Sequence, residues 1–307
     1  MSFETAVSPE KEKVVTKVVL EIMRHGKRER GATQEEDAST DLRLTPDGRN
    51  QMTERGKDFD PQTEVSVGMG SPYVRTQETA YRAMLANEDI APEDSLEDIE
   101  KKIAEQMAYG KKMIEDDRLA FHADGPTGED GAKAYYEKRY MSWVIDESDQ
   151  SAIRNGDTGS STFTRMTGNI AEIISRYAIV SDNFQRIVAN DSEKKYETTG
   201  NQLERYIGTH MGISECFVAK VLEKIKGSEA KDAFVKSVGS GFLEGEGIHI
   251  EIINVGSEQH ISMIYTVKDA ERGDRSETIQ FNREVLEEII EDRRMFEEKI
   301  TQAMKSE

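Results

Sequence analysis

An arginine, a histidine and a glycine follow one another at residues 24–26, directly after a run of apolar residues. A histidine at this place can present a ring nitrogen to an anion, while the planar guanidinium beside it suits phosphate oxygens. Gly26 lets the backbone approach a ligand closely. Because so short a string is common by chance, Arg24 and His25 indicate a phosphate site only if other residues join them.

Two further segments supply residues of the same kind. Residues 71–80, SPYVRTQETA, follow a second apolar run and place Arg75 in the first turn of a predicted helix, where the backbone amides favour an anion. Residues 207–212, IGTHMG, place His210 between a third apolar run and another predicted helix. Together the three segments predict a phosphate pocket in which Arg24 and Arg75 supply two positive charges.

Predicted strands and helices explain how these segments meet. Residues 14–23, 63–69 and 203–209 form strands, and helices follow at 46–59, from 73 to about 85, and at 213–225. Residues 248–255 and 260–267 form an antiparallel hairpin, and residues 281–304 form a final helix. Strands that alternate with helices predict an α/β fold, a three-layer α/β/α sandwich with a mostly parallel central sheet. Ligands of such sheets bind beyond the carboxyl ends of the strands, where all three segments fall.

The predicted domain organisation is simple. Residues 1–13 form a flexible lead-in, and residues 14–307 form a single domain. Within it, about residues 88–200 form a largely helical cap or insertion over the pocket, because helical patterns and glycine-rich loops fill this span. For Trp143 and the tyrosines near it, at positions 135, 136 and 140, packing in the core of this insertion is favoured over stacking on a substrate.

Composition narrows the function classes. The chain of 307 residues has a formal net charge of −19, which argues against nucleic acid or an anionic membrane as a partner. No apolar run reaches the roughly 20 residues that cross a bilayer, and the one cysteine, Cys216, cannot form an intrachain disulfide. We expect a cytoplasmic protein with a small phosphorylated substrate; the oligomeric state is left open.

These motifs resemble the histidine phosphatase (phosphoglycerate mutase-like) superfamily, which has Arg-His-Gly after its first strand and a later histidine after another. Residues 44–51, LTPDGRNQ, are similar to its Leu-Thr-x-x-Gly-Arg-x-Gln pattern. Residues 71–80 resemble its Ser-Pro-Leu-x-Arg-Ala-x-Gln-Thr-Ala pattern and depart from it at Tyr73, Thr76 and Glu78. The four segments occur in the family's order. They anchor residues 14–86 and about 203–225, and the middle of the chain resembles nothing specific.

The resemblance implies a role for each matched residue. His25 is the nucleophile, Arg24 and Arg75 bind the phosphate, and His210 is an electrostatic partner of the transferring group. It implies no metal and no cofactor. Lys27, Arg28 and Arg30 either line a basic mouth or form a solvated loop.

The general acid is predicted less sharply. Glu97 is the first choice because Leu96-Glu97 resembles the family's context, and Asp98 is the alternative. Either carboxylate could instead be a solvated charge at the start of a helix. Met211 stands where the acid phosphatase branch has an aspartate, which disfavours that branch.

The favoured function is a metal-independent phosphomonoester phosphatase that works through a phosphohistidine. A phosphoglycerate-type mutase is the alternative, although residues 27–31, KRERG, differ from the residues that follow the triplet in mutases. A catalytically inactive scaffold that recognises phosphate is a third possibility, from a different class.

Overall fold

The computed structural model describes residues 14–62, 65–88, 90–106, 113–123, 125–267 and 274–305. The predicted lead-in at residues 1–13 lies outside these ranges. In the described parts of the chain, no helix is long and apolar enough to cross a membrane.

The centre of the fold is a seven-stranded sheet in the order β3-β2-β4-β1-β5-β6-β7. Its strands are β1 (Val15–Arg24), β2 (Ser66–Gly70), β3 (Ile114–Glu115), β4 (Gln202–Thr209), β5 (Gly247–Val255), β6 (Glu258–Val267) and β7 (Arg275–Phe281). The apolar strand β1 lies in the middle, as its continuous hydrophobic sequence predicts.

The sheet is mixed. Strands β1 to β4 are joined by parallel pairings, and β5, β6 and β7 extend the β1 side by antiparallel ones. Five of the seven strands therefore run in one direction, and β5 and β7 run in the other. In register, Arg24 lies opposite Thr209, and Gly70 lies opposite Gly208. The residues that follow these strands must consequently emerge side by side at one edge of the sheet.

Helices cover both faces. They are α1 (Gln34–Asp37), α2 (Pro46–Lys57), α3 (Val74–Met84), α4 (Leu96–Gln106), α5 (Gly125–Tyr136), α6 (Tyr140–Asp146), α7 (Ser148–Asn155), α8 (Phe163–Ala189), α9 (Ile213–Lys226), α10 (Ser228–Val238) and α11 (Arg283–Met304). Alternate strand residues face opposite layers: Met23 and Tyr206 pack with α2 and α3, whereas Ile22 and Ile207 pack with α8 and α9. The three-layer α/β/α fold predicted from the sequence is confirmed.

Hydrogen bonds at the first turns of α2 and α9 fix the chain where these helices begin. Thr45 caps α2, accepting a hydrogen bond from the Gly48 amide at 3.1 Å, with Pro46 in the first helical position. At α9, Gly212 has a φ of 93°, which favours glycine, and the Glu215 carboxylate accepts a hydrogen bond from the Gly212 amide at 2.9 Å. The chain therefore turns from strand into helix within three residues of Thr209.

The structure departs from the sequence prediction in two places. Strand β7 was not predicted, and it pairs with the second strand of the predicted hairpin, which is present as β5 and β6. Helix α8 falls within the span expected to form a cap, yet it packs against β1 and β5 as part of a sandwich layer. The reason is an apolar stripe of buried side chains spaced three and four residues apart: Ile170, Ile173, Ile174 and Tyr177. The cap thus stays a prediction for the shorter segment that precedes α8.

Candidate active site

His25 is the first residue after β1, and its backbone amide donates to the Thr209 carbonyl at 2.9 Å. Its Nδ1 lies 2.8 Å from the carbonyl oxygen of Gly26. Because a carbonyl oxygen only accepts, Nδ1 must carry the hydrogen of the neutral ring. The lone pair therefore resides on Nε2, the nitrogen that is left to meet a ligand.

The surroundings of His25 keep its ring neutral. Burial lowers the pKa of His25 to about 3, against the raising effect of the hydrogen bond to Gly26, and the charges of Arg75, Arg24 and Arg28 lower it further. The ring is only 8% exposed. A neutral imidazole beside several guanidinium groups has the protonation state that a nucleophile needs at ordinary pH.

His210 follows β4 in the same way and faces His25. The two ring centroids are 5.6 Å apart, with the planes at 74°. The Ser71 hydroxyl fixes the second ring through a hydrogen bond of 3.0 Å to Nε2, and the Tyr73 ring packs against it at 4.8 Å. Burial lowers the pKa of His210 well below its usual value, with smaller contributions from His25 and Arg75.

Arg24 and Arg75 flank the histidines from different elements. Arg24 Nη1 donates to the Phe242 carbonyl at 2.6 Å, and Arg75 Nη1 donates to the Ser39 carbonyl at 3.2 Å. The Arg75 guanidinium also lies over the Tyr73 ring, 4.3 Å from its centroid. The Nε atoms of both arginines are buried without an acceptor among the described residues. Burial, followed by the charge of Arg28, lowers the pKa of Arg75 to about 10.

Part of the basic run after the triplet also reaches the site. Arg28 and Arg30 line the same cavity as His25, whereas Lys27 pairs with Asp47 at 3.3 Å. Arg28 donates two hydrogen bonds to Asp37, at 2.8 and 2.7 Å, and this pairing lowers the pKa of Asp37 to about 2. The sequence left open whether this run lines a basic mouth or forms a solvated loop, because only the fold brings the loop back over the strand ends.

These residues border one cavity of about 520 Å³. Four arginines line it, at positions 24, 28, 30 and 75, and the lining carboxylates are Asp37 and Glu244. The site thus has an excess of two positive charges inside a chain whose net charge is −19. Within the described ranges, no three His, Cys, Asp or Glu side chains cluster in a way that could hold a metal ion.

The structure brings four of the five predicted site residues together and leaves Glu97 apart. Glu97 lies in the first turn of α4, does not line the cavity, and has a 73% exposed side chain with its carboxylate 3.8 Å from Arg43. Asp98 accepts hydrogen bonds from the Ser95 amide and hydroxyl, at 3.0 and 2.7 Å, and so caps the helix. Ser95 and Asp98 have the spacing of a capping box. This pattern was the sequence signal that Glu97 and Asp98 lie at the start of a helix.

Sequence comparison bears on the same residues. Residues 20–146 match the model of the family described as the histidine phosphatase superfamily (branch 1). The matched segment contains Arg24, His25 and Arg75, so the similarity to this family extends over residues 20–146. His210 lies beyond it. No curated protein matches the sequence.

Solved structures with a similar arrangement include phosphatases and a mutase. A mycobacterial glucosyl-3-phosphoglycerate phosphatase is 14% identical, with 78% of this chain and 91% of that chain covered and a TM-score of 0.42. A phosphoglycerate mutase from Bacillus anthracis is 12% identical, with 89% and 97% covered and a TM-score of 0.42. A phosphoserine phosphatase from Entamoeba histolytica is 13% identical, with 77% and 90% covered and a TM-score of 0.35. At these values the likenesses do not bear on activity or substrate.

Proposed function

We propose that this protein is a metal-independent phosphomonoester phosphatase in which His25 takes the phosphoryl group from the substrate. The observation that carries the proposal is the meeting of His25, His210, Arg24 and Arg75 at one edge of the sheet, where Nε2 of His25 makes no hydrogen bond to any described residue. A site that only recognised phosphate would have no need of a second nitrogen held free of hydrogen bonds.

The chemistry proceeds in two displacements. First, Nε2 of His25 attacks phosphorus, a P–N bond forms, and the P–O ester bond breaks as the alcohol oxygen leaves with its electron pair and takes up a proton. Second, a water molecule loses a proton and attacks phosphorus. The P–N bond then breaks, the lone pair returns to Nε2, and inorganic phosphate is released. Nδ1 keeps its hydrogen bond to Gly26 throughout, which holds the ring in one orientation.

Stabilisation of the transition state comes from fixed cations. The moving phosphoryl group carries its charge on three outer oxygens, so preorganised donors around it lower the barrier. Arg24 and Arg75 provide such donors, and each is anchored to a backbone carbonyl. His210, held by Ser71, lies close enough to the His25 ring to donate a hydrogen bond to the same group.

The proton for the leaving oxygen needs a donor inside the cavity. Glu97 was the candidate from the sequence, and its exposed position at the start of α4 gives that role no support. Asp37 is held ionised by Arg28 and is a poor acid. His122 and Glu244 also line the cavity, and either side chain could carry this proton.

One experiment separates this function from its alternatives. Purified protein is incubated with ribose 5-phosphate and, separately, with 3-phosphoglycerate, and the products are followed by ³¹P NMR. We expect inorganic phosphate from at least one of these monoesters. Conversion of 3-phosphoglycerate to its 2-isomer without phosphate release would identify a mutase. Binding of inorganic phosphate with no turnover of any monoester, p-nitrophenyl phosphate included, would identify a scaffold.

A further inference from the structure

The cavity has two chemically different sides. The side formed by the strand ends carries the four arginines and the two histidines. Six aromatic rings also line the cavity, and we call them the aromatic wall: Tyr73, Phe121, Tyr135, Tyr136, Tyr140 and Trp143. A phosphate group alone uses only the first side, so the second must meet the remainder of the substrate.

The aromatic wall begins at the phosphate position itself. The Tyr73 ring contacts the Arg75 guanidinium at 4.3 Å and the His210 ring at 4.8 Å. A group bonded to the phosphate through one or two atoms would therefore already lie against a ring face. The other rings of the wall pack around Tyr140, with centroid distances of 5.9 Å to Phe121, 6.2 Å to Trp143 and 6.4 Å to Tyr135. These distances are typical of packed aromatic pairs.

Core packing accounts for only part of this wall. Tyr140 and Trp143 are 7% and 4% exposed and belong to the main core cluster, as expected from the sequence. Tyr135 and Tyr136, in contrast, are 51% and 73% exposed, although they line the same cavity. Two adjacent exposed rings add little to the stability of the fold, since their faces are open to water. A ligand that covers them explains their place at the cavity.

We infer that the substrate carries a flat aromatic ring close to its phosphate ester, which packs against the aromatic wall while the arginines hold the phosphate. This inference rests on the proposed phosphatase function. Flat rings gain more from such a wall than aliphatic groups of equal area, because ring quadrupoles interact favourably in offset and edge-to-face pairs. A volume of about 520 Å³ suits one small molecule, and a long acyl chain would need a longer cleft. A phosphorylated phenol derivative and a nucleoside monophosphate both have the required chemistry.

The single tryptophan makes the test direct. Trp143 is the only tryptophan of the chain and lies in the wall, so its fluorescence reports occupation of the cavity. The wild-type protein is titrated with benzylphosphonate and with cyclohexylmethylphosphonate, which are not hydrolysed and differ only in the ring. We expect benzylphosphonate to bind about ten-fold more tightly, as two or more aromatic contacts would give. Equal affinities, or tighter binding of the saturated ring, would overturn the inference.

A matched pair of variants assigns the preference to the wall. Tyr135→Ser/Tyr136→Ser removes the two exposed rings and should bring the ratio of the two affinities close to one. The control, Ile179→Ser/Ile187→Ser, removes two side chains of similar exposure from α8, and it should leave the ratio as in the wild type. A ratio that survives loss of both tyrosines would refute their role in recognition.

Turnover distinguishes a failure of this inference from a failure of the proposed function. Benzyl phosphate should be hydrolysed with a kcat/KM about ten-fold above that of cyclohexylmethyl phosphate, whose leaving alcohol is of similar acidity. Equal hydrolysis would leave a phosphatase without aromatic preference, whereas no hydrolysis of any monoester would overturn the function. Two further pairs of substrates show whether the preferred ring is a phenol or a nucleobase. The rates of hydrolysis are compared for phosphotyrosine against phosphoserine, and for adenosine 5′-monophosphate against ribose 5-phosphate. Absence of preference in both pairs would again count against the inference.

Discussion

Two histidines beside the same strand are held in opposite electrostatic surroundings. His25 follows the carboxyl end of β1, where guanidinium groups face it. His249, on β5, lies opposite Glu21 in the middle of the β1–β5 ladder. Its Nδ1 is 2.5 Å from Glu21, and its Nε2 is 3.5 Å from Glu251.

The neighbours decide what each imidazole can do. Burial lowers the pKa of both rings. At His249 the hydrogen bond and charge of Glu21, together with Glu251, more than offset this and raise its pKa. At His25 the arginines act in the same direction as burial. His249 thus binds a proton more readily than a free imidazole and has both nitrogens engaged by carboxylates, whereas His25 is a neutral ring whose Nε2 makes no hydrogen bond to any residue that the structure describes. The charges around each ring, more than the residue type, therefore decide which imidazole stays neutral and suits the role of nucleophile that we propose for His25.

The largest expected effect comes from removing each histidine in turn. His25→Ala should lower kcat by at least about 10³-fold, since the group that we propose accepts the phosphoryl group is lost. His249→Ala, which removes a ring outside the cavity, should keep kcat within about two-fold of the wild type. Both are measured as phosphate release from the same monoester at saturating concentration. Comparable losses in the two variants would erase the distinction between the two sites.

A smaller loss of activity should follow from removing one of the arginines that lower the pKa of His25. Arg75→Ala should lower kcat/KM by about 10²- to 10³-fold, because an anchored donor to the developing charge is lost. Arg55 is the matched control, since it also lies over an aromatic ring, Phe59, at 4.6 Å, but outside this cavity. Arg55→Ala should leave kcat/KM unchanged. An Arg75→Ala enzyme with wild-type kcat/KM would show that this guanidinium does not touch the transferring group.

The two histidines should also oppose each other in the dependence of stability on pH. His25 binds a proton more readily when the chain is unfolded, so its contribution to stability is lost as pH falls through about 6.5 toward 3. Between pH 7 and pH 5 the loss is about 2 kcal/mol for a shift of this size. His249 has the opposite sign: its contribution is present below its unfolded pKa and is lost as pH rises through its raised folded pKa.

Urea unfolding at pH 5 and pH 7 measures this difference. The gap in unfolding free energy between the two pH values should shrink in His25→Asn and widen in His249→Gln. Changes of the same sign in both variants would contradict the opposite pKa shifts of the two histidines.

The smallest expected effect is that of chelation. Because guanidinium groups supply the positive charge around His25, excess EDTA should leave the rate of phosphate release unchanged. A loss of activity that magnesium or zinc restores would mean that a metal ion, rather than Arg24 and Arg75, stabilises the transferring phosphoryl group.

The sequence predicted which residues meet at the carboxyl edge of the sheet, for a physical reason. Arg24, His25, Arg75 and His210 each lie within a few residues of a strand end, and parallel strands bring such ends together whatever the rest of the chain does. Local signals also sufficed for the helix that begins at Pro46 and for the hairpin of β5 and β6.

Features that depend on distant contacts could not be read in the same way. The Ser71 hydroxyl meets His210 across 139 positions, and the aromatic wall forms only when α5 and α6 fold back over the strand ends. Glu97 shows the converse problem. An acid near the start of a helix looks the same in sequence whether it faces a substrate or water, and only the fold distinguishes the two.

Trapping the phosphoenzyme is the direct test of whether the phosphoryl group passes through His25. Labelled monoester is mixed with the protein, quenched within milliseconds in alkali, and the label is located by peptide mapping. A label on His25 that is stable in alkali and lost in acid, as a phosphoramidate is, would meet the prediction. A label on any other residue would contradict it, and full activity with no labelled protein at any quench time would point to direct attack by water.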